Sequence, residues 1–270
     1  MGRDDEVTTV LLEREQVLSA LLDSPCDRRT LEERLDISSS TCHRIVRTLE
    51  NNGLVRKSDG GYKLTELGRV LKRQVDRYES AVDTAVEMEP LLRGIAQSDV
   101  DFDIELFADA NIVHAQPNNP HPPINRFIEL LRDSETLRNM GPTPVAPTMV
   151  DEVADLLFNE EKRLEIIKPE PVISHYVSSQ GEPLRRAAEQ KKVGFRICDD
   201  ITFGLSLYDD HVGVRGYNLD TGSILLFADT DDPEAVAWGE AVFKSYRSRA
   251  EPMSTFEELP EWSYELDIKI

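Results

Sequence analysis

The stretch "SSSTCHRIVRTLENNGLV", residues 38–55, decides the fold of the first part of the chain. Its apolar residues recur at helical spacing and predict a helix over about 39–52 with one buried face. The serines that precede it are good N-cap residues. Gly53 follows where a left-handed residue commonly ends a helix. The residues predicted to face inward are Cys42, Ile45 or Val46, and Leu49.

The segments on either side complete a small domain. Residues 7–23 have the apolar spacing of an amphipathic helix, and a short second helix is predicted at about 28–35. After the third helix, "LVRK", "SDGG" and "YKL" are typical of a β-hairpin with a glycine-containing turn. Three helices followed by a hairpin predict a winged helix-turn-helix.

The outward face of the third helix has the side chains that DNA recognition requires. In helix-turn-helix proteins the amino-terminal part of the second helix of the motif enters the major groove. Arginine can hold guanine bidentately, and serine or threonine can reach phosphates or base edges. The alternative is a protein-interaction module in which Arg44 or Arg47 pairs with Glu50 or Glu33. The candidate DNA-binding residues are Ser39, Ser40, Thr41, His43, Arg44 and Arg47 on the helix, Arg28 and Arg29 before it, and Arg56, Lys57 and Lys63 on the hairpin.

The charge of the chain is unevenly distributed. The formal net charge is −20, yet residues 1–75 hold 13 Lys+Arg and 13 Asp+Glu, so the acidity belongs to the remainder. Many carboxylates and few lysines suggest a salt-rich cytoplasm; the alternative is an ordinary acidic protein with a solvated surface. At about 1 M salt the Debye length is only ~3 Å, which screens the repulsion between DNA and a distant acidic domain. An acidic chain can therefore still carry a DNA-binding domain.

Other features narrow the class of protein. No apolar run is long enough to span a bilayer, and the start "MGRDDEVTTV" lacks the apolar segment of a signal peptide. The three cysteines show no CxxC spacing and are predicted to be free thiols in a reducing cytoplasm. The five histidines have no metal-ligand spacing, and no nucleotide-binding or nucleophile motif occurs. We therefore expect no enzyme activity, no metal, no cofactor and no membrane partner.

Residues 65–92 predict a long connecting helix. No helix breaker lies between Gly68 and Pro90, and Thr65 is suited to the N-cap. Its apolar residues step by 4, 3, 4 and 3, as in a heptad stripe that could join two copies of the chain. The alternative is a helix packed on its own carboxyl-terminal domain. The stripe consists of Leu71, Val75, Tyr78, Val82 and Ala85.

Beyond about residue 100 helices alternate with strands. A strand, a turn and a second strand are predicted in "DFDIELFADANIVHA", and a single helix in "PPINRFIELLRDSETLRNM". Further helices are predicted in "MVDEVADLLFN", in most of "PVISHYVSSQGEPLRRAAEQ" and in "DPEAVAWGEAVFKSYRSRA", and further strands in "KRLEIIKP", "VGFRICD", "FGLSLYDD", "HVGVRGYN" and "SILLFAD". This pattern predicts a sheet covered by helices.

A small-molecule site is less clearly marked. Several polar and aromatic residues of this half could line an effector pocket, or could equally be surface and capping residues. Cys42 raises the question of a redox switch, but its predicted inward position favours a small apolar role. The effector candidates are His114, Arg126, His175, Tyr176 and Tyr208.

Two family resemblances extend this interpretation. "DISSSTCHRIVRTLENNGLV" followed by "YKLTELGRVL" resembles winged-helix regulators of the IclR, MarR and ArsR kinds. "FDIELFADANIV", "INRFIELLRDSETLRNMGP" and the long segment from "FGLSLYDD" to "KSYRSRA" resemble the effector domain of FilR-type (methanogenesis regulatory protein) regulators, in their haloarchaeal branch. The resemblance implies a cytoplasmic archaeal transcription regulator with an undefined effector.

A weaker resemblance concerns phospholipase D-like domains, including those of TrmB-type regulators. The enzymes need an HxKxxxxD signature, and "FGLSLYDD" holds neither the His nor the Lys. The resemblance therefore implies a scaffold without its catalytic motif.

Taken together, the residues and the resemblances predict an α+β protein with four parts. These are a winged helix-turn-helix (1–66), a linker and dimerisation helix (67–98), an α/β effector or dimerisation domain (99–252) and an acidic tail (253–270). The predicted function is sequence-specific binding of double-stranded DNA by a homodimer that responds to an unknown small-molecule effector. The alternatives are a winged-helix adaptor without DNA binding and a phospholipase D-like enzyme.

Overall fold

The computed structural model describes residues 3–144, 156, 162–176, 193–218 and 220–253. The chain divides into two compact units, Met1–Asp83 and Thr84–Ile270. The helix predicted in "MVDEVADLLFN", most of the helix predicted after Tyr176 and the tail 254–270 lie outside the described residues.

The first unit is built from short helices and one hairpin. The predicted 7–23 helix is two helices, because the backbone leaves helical geometry at Arg14 (φ −123°, ψ 21°). The hairpin pairs its strands from Val55 opposite Leu64 to Ser58 opposite Gly61. This arrangement is a winged helix-turn-helix. Its elements are α1 (Arg3–Glu13), α2 (Glu15–Ala20), α3 (Arg28–Leu35), α4 (Ser39–Asn51), β1 (Val55–Ser58) and β2 (Gly61–Leu64).

Local capping sets the limits of the helix-turn-helix. Asp27 accepts a hydrogen bond from the Thr30 amide at 2.8 Å and begins α3, while Ser38 Oγ accepts from the Thr41 amide at 3.3 Å and begins α4. Gly53 has φ +72°, the left-handed conformation predicted for it. All four apolar candidates of α4 are buried, including both Ile45 and Val46, together with Leu18, Leu31, Leu54 and Leu64.

The connecting helix α5 (Glu66–Glu87) is tied to the winged helix at its start. Thr65 Oγ1 accepts from the Gly68 amide at 3.0 Å, as expected of an N-cap. A Cβ at Gly68 would lie 2.1 Å from the Leu54 carbonyl oxygen, so glycine allows a close backbone approach there. Lys72 is 2% exposed and forms ion pairs with Glu15, at 2.8 Å, and with Asp76. Hydrogen bonds from Lys72 and Ser19 lower the pKa of Glu15.

The second unit is a mixed sheet with helices on both faces. Among the described residues eight strands pair in the order β10-β6-β5-β4-β7-β8-β9-β3; β4, β5 and β6 are parallel and the other pairs antiparallel. The strands are β3 (Asn111–His114), β4 (Thr136–Met140), β5 (Arg163–Lys168), β6 (Val193–Ile197), β7 (Gly204–Leu207), β8 (Val212–Tyr217), β9 (Ile224–Thr230) and β10 (Glu251–Pro252). The labelled helices are α6 (Glu89–Ile95), α7 (Pro122–Asp133) and α8 (Pro233–Arg249), and residues 170–176 are also helical.

Alternation along the strands separates two hydrophobic cores. One core holds Leu205, Leu207, Val212 and Val214 with apolar residues of α6 and α8. The other holds Ile166, Tyr208 and Phe227 with residues of α7. The first cluster fills the α6 and α8 side of the sheet and the second the α7 side.

Two predicted elements of this unit are wrong. Residues Ile104–Phe107 form a 3₁₀ turn instead of a strand, because Asp103 caps it by accepting from the Glu105 amide at 2.9 Å. The helix predicted through Met140 ends at Asp133, and β4 follows. Asp209 causes this change: its carboxylate accepts from the amides of Glu135 and Thr136 at 2.7 and 2.9 Å, which holds the chain extended beside β7. Asp232 caps α8 by accepting from the Glu234 amide at 2.8 Å.

Candidate nucleic-acid interface

The outward face of α4 is polar along its first two turns. Ser39, Ser40, His43, Arg44 and Arg47 are exposed. Thr41 is half-buried, and its Oγ1 lies 2.9 Å from Ser38 Oγ within the N-cap. One side of this helix therefore packs on the core while the other presents arginines, hydroxyls and an imidazole to the solvent.

The arginines of α4 and those of α3 differ in their partners. Arg28 forms an ion pair with Glu32 at 3.1 Å and Arg29 with Glu33 at 3.0 Å. Within the described residues Arg44 and Arg47 have no ion pair, so the alternative pairing with Glu33 or Glu50 is not observed. Both guanidinium groups keep their charge and their donors for another molecule.

The hairpin distributes its cations over two faces. Arg56 lies opposite Lys63, so these two share one face, while Lys57 lies opposite Tyr62. Arg56 and Lys57 are exposed, and Lys63 is half-buried. Contact between DNA and any of these residues of α3, α4 and the hairpin remains a prediction.

Cys42 lies on the inner side of α4. It is 1% exposed, and its Sγ donates weakly to the Arg28 carbonyl at 3.8 Å. Burial and the nearby Glu32 carboxylate raise the pKa of the thiol. Because the thiolate is the form that oxidises readily, this environment suits the small apolar role and opposes a redox switch.

Two of the effector candidates are engaged inside the second unit. Arg126 donates two hydrogen bonds to Asp229, at 2.9 and 2.8 Å, and these raise the pKa of its guanidinium. Tyr208 is 2% exposed; its hydroxyl donates to the Phe127 carbonyl at 3.4 Å, and burial raises the pKa of the phenol. Both residues join α7 to the sheet.

The other three candidates lie in two places. His114 is exposed at the end of β3, an edge strand. His175 and Tyr176 are half-buried in the helical segment after β5, with ring centroids 6.4 Å apart, and Tyr176 packs on the same core as Tyr208. The structure thus brings Tyr176 and Tyr208 to one core; effector binding by any of the five stays a prediction.

Sequence reasoning missed two buried cations, Lys168 of β5 and Arg215 of β8, which are 5% and 4% exposed. Arg215 stands in a strand that is otherwise apolar or glycine, "VGVRGY", and Lys168 follows two isoleucines at the end of "RLEIIK". A cation inside such a strand was the available signal, because a fully buried lysine or arginine is rare unless it has a partner.

Comparison with known proteins places the chain in a family. Residues 120–249 match the model of the middle domain of methanogenesis regulatory protein FilR1, and residues 4–87 match that of the HVO_A0261 N-terminal domain. The chain belongs to the FilR-type archaeal regulators. No curated protein matches this FilR-type chain significantly.

Solved structures similar to this FilR-type chain share little sequence with it. TrmBL2, an archaeal chromatin protein, is 16% identical over 87% of this chain and 92% of its own, with a TM-score of 0.42. NucT from Helicobacter pylori is 11% identical over 53% and 98%, with a TM-score of 0.38. Phosphatidylserine synthase from Haemophilus influenzae is 14% identical over 56% and 41%, with a TM-score of 0.43. Because the sequence identities and TM-scores are this low, these structures say nothing about the chemistry of this chain.

Among the described residues, no helix combines the length and the apolar character needed to cross a bilayer.

Proposed function

We propose that this FilR-type chain is a sequence-specific transcription regulator that binds double-stranded DNA through α4. The observation that carries the proposal is the pair of exposed arginines, Arg44 and Arg47, which have no ion pair within the described residues and stand on a helix whose opposite face is core. A recognition helix needs this combination, because base reading requires donors that are not already bound to carboxylates.

The neighbouring residues suit the positioning of the helix on the duplex. Ser39 and Ser40 lie at the start of α4, where hydroxyls and backbone amides can contact phosphate. Arg56 and Lys63 share a face of the hairpin and could follow the backbone along the groove edge. Arg28 and Arg29 are less available, since each is paired with a glutamate of α3.

The second unit is proposed to sense an effector, and the regulator to act as a homodimer. A ligand would alter DNA affinity only as far as it binds the two states of the regulator with different affinity. A dimer would place two copies of α4 on one duplex. The exposed apolar residues of α5 in the first unit, Leu67, Val70, Tyr78 and Val82, support self-association through that helix.

The adaptor and enzyme alternatives have less support. A protein-interaction adaptor would not explain why α4 carries exposed arginines that have no ion pair within the described residues. A phosphodiesterase would need the His and Lys of its signature, and β7 with its turn offers "GLSL" followed by Tyr208 and Asp209. We therefore infer a regulator without catalytic activity that works in a salt-rich archaeal cytoplasm.

Selection of duplexes from a random library by the full chain tests this function. Wild type is expected to enrich one motif, with two half-sites if it binds as a dimer. The variant Arg44→Ala/Arg47→Ala should enrich none, whereas the control Arg93→Ala/Arg163→Ala, which removes two exposed arginines from the second unit, should enrich the same motif. Failure of folded wild type to enrich any motif would favour the adaptor.

A further inference from the structure

A row of four residues crosses the α7 side of the sheet in the second unit. It runs from Lys168 at the end of β5, past Gly141 directly after β4, to Gly204 of β7 and Arg215, its partner on β8. A cation stands at each end and two glycines lie between. Because the glycines have no side chain, the two long side chains can extend toward each other over them.

The polar ends of these side chains converge. A Cβ placed on Gly141 would be 3.2 Å from Lys168 Nζ, 2.9 Å from the Tyr217 hydroxyl and 3.6 Å from Arg215 Nη2. A Cβ on Gly204 would be 2.4 Å from Arg215 Nε and 2.7 Å from the same hydroxyl. Three kinds of hydrogen-bond donor therefore surround the position over Gly141, and a larger residue at 141 or 204 would meet them.

Neutral groups alone hold these cations within the described residues. Lys168 Nζ donates to the Thr143 carbonyl at 3.0 Å. Arg215 Nη2 donates to the Met140 carbonyl at 2.9 Å, and Asn139 Oδ1, in the amide orientation that satisfies its neighbours, accepts from both Nη atoms. Arg215 Nε is buried without a partner.

The carboxylate buried in this sheet does not balance the two charges. Asp229 accepts from Arg126 and from Asn111. Burial, together with Arg215, lowers the pKa of Lys168 well below its usual range. Buried charges are normally paired, because the loss of hydration is otherwise uncompensated. In the part of the chain that the structure describes, these two adjacent buried cations thus have no negative charge to balance them.

We propose that Lys168, Arg215 and the Tyr217 hydroxyl form a binding site for a small oxyanion, the phosphate or carboxylate group of a metabolite. An oxyanion would accept from Lys168 Nζ and from the unpaired Arg215 Nε, and its charge would offset both cations. Gly141 and Gly204 leave room for these three side chains to converge over the sheet.

This inference rests on the proposed effector function of the second unit. It names the chemical class of ligand that the second unit would bind. The occupancy of the site, however, is measured without DNA. A negative result here leaves the α4 assignment intact, and failure of DNA selection leaves the anion site intact.

Thermal unfolding of the full chain tests the site with inorganic phosphate and with acetate, each compared with KCl at equal ionic strength. At a concentration about tenfold above its Kd, a bound anion should raise the Tm by about 3 °C. A response to phosphate alone assigns the site to phosphoryl groups, and a response to acetate alone assigns it to carboxylates.

Variants separate binding from folding. Lys168→Met should raise the Tm without added anion, because it removes a buried amine that has no counter-charge among the described residues, and should abolish the anion response. A merely structural lysine would instead lower the Tm when removed. Gly141→Ala should also weaken the response, while the exposed control Lys244→Met should retain it.

Two results would overturn the proposal. One is a wild-type Tm that neither anion raises beyond the matched KCl. The other is an undiminished response in folded Lys168→Met. If the variants do not fold, calorimetric titration of wild type with phosphate and acetate measures anion binding directly, and the absence of binding heat for both anions would overturn the proposal equally.

Discussion

At the residue scale, Asp229 organises a buried polar contact of the second unit. Its carboxylate is 3% exposed and accepts from Arg126 at 2.9 and 2.8 Å and from Asn111 at 3.1 Å. Asp229→Asn should lower the free energy of unfolding by about 2–3 kcal/mol, because Arg126 loses its buried counter-charge and keeps only the more exposed Glu129, at 3.3 Å.

Chemical denaturation followed by tryptophan fluorescence checks this effect, since both tryptophans lie in the second unit. The exposed neighbour Asp231 supplies the control, Asp231→Asn. If Asp229→Asn and Asp231→Asn had the same free energy of unfolding, the buried contact would make no net contribution to stability.

A second residue-scale prediction concerns pH and Lys168. The folded pKa of this amine is lowered, with Arg215 as the neighbouring charge and Tyr217 as the facing hydroxyl. Between that lowered pKa and the ordinary value of 10.5, the unfolded state binds a proton that the folded state does not. Stability therefore rises with pH across this window.

Lys168→Met removes that contribution, so the difference in unfolding free energy between wild type and variant should change in favour of wild type as the pH rises from the lowered pKa toward 10.5. Denaturant titrations at several pH values without phosphate or acetate measure it. A difference independent of pH would mean that the lysine has its ordinary pKa.

Single residues also show how far sequence reasoning reaches. The inward stripe of α4 was predicted because helical periodicity is local and Cys42 and Leu49 follow it. Lys168 and Arg215 were missed because their convergence depends on which strands become neighbours, and pairing across the sheet is not encoded in any one segment. Arg126 was predicted as an effector residue, which stays a prediction, and its ion pair could not be foreseen because Asp229 lies 103 residues away.

At the scale of elements, the predicted heptad stripe of α5 has a buried part and an exposed part. Leu71 and Val75 pack on the winged-helix core. Tyr78 and Val82 are 62% and 42% exposed, and the proposed homodimer would contact the second chain through them.

Tyr78→Glu/Val82→Glu should therefore shift a homodimer toward monomer by at least tenfold in dissociation constant, because charges would enter an apolar contact. Light scattering after size exclusion checks the mass. Arg73→Glu alters the net charge equally on the opposite side of the helix and should leave the mass unchanged. An unaltered dimer in the double variant would place the dimer contact elsewhere.

Elements were predicted best where their signals are local. The N-caps of α4 and α5, Ser38 and Thr65, are side chains next to the helix that they begin, and the sequence shows them directly. The end of α7 was misplaced because its signal is distant: Asp209 holds Glu135 and Thr136 extended from 73 and 74 residues away. The 3₁₀ turn at Ile104–Phe107 was mistaken for a strand because its apolar residues alternate with acidic ones.

At the scale of the whole molecule, charge sets the conditions for DNA binding. The first 75 residues are neutral and the rest carry the net −20. Low salt lets the acidic part repel the duplex, whereas about 1 M salt reduces the Debye length to ~3 Å and leaves contacts at bonding distance intact. Specific binding should consequently persist in molar KCl, where nonspecific binding is suppressed.

The most direct test is fluorescence anisotropy of the selected duplex and of a scrambled one, measured in molar KCl with wild type and with Arg44→Ala/Arg47→Ala. Wild type is expected to prefer the selected duplex by at least a hundredfold and the variant to lose this preference, since each bidentate arginine contact contributes about 1–3 kcal/mol of discrimination. Equal preference in the two folded proteins would contradict the assignment of α4 as the recognition helix.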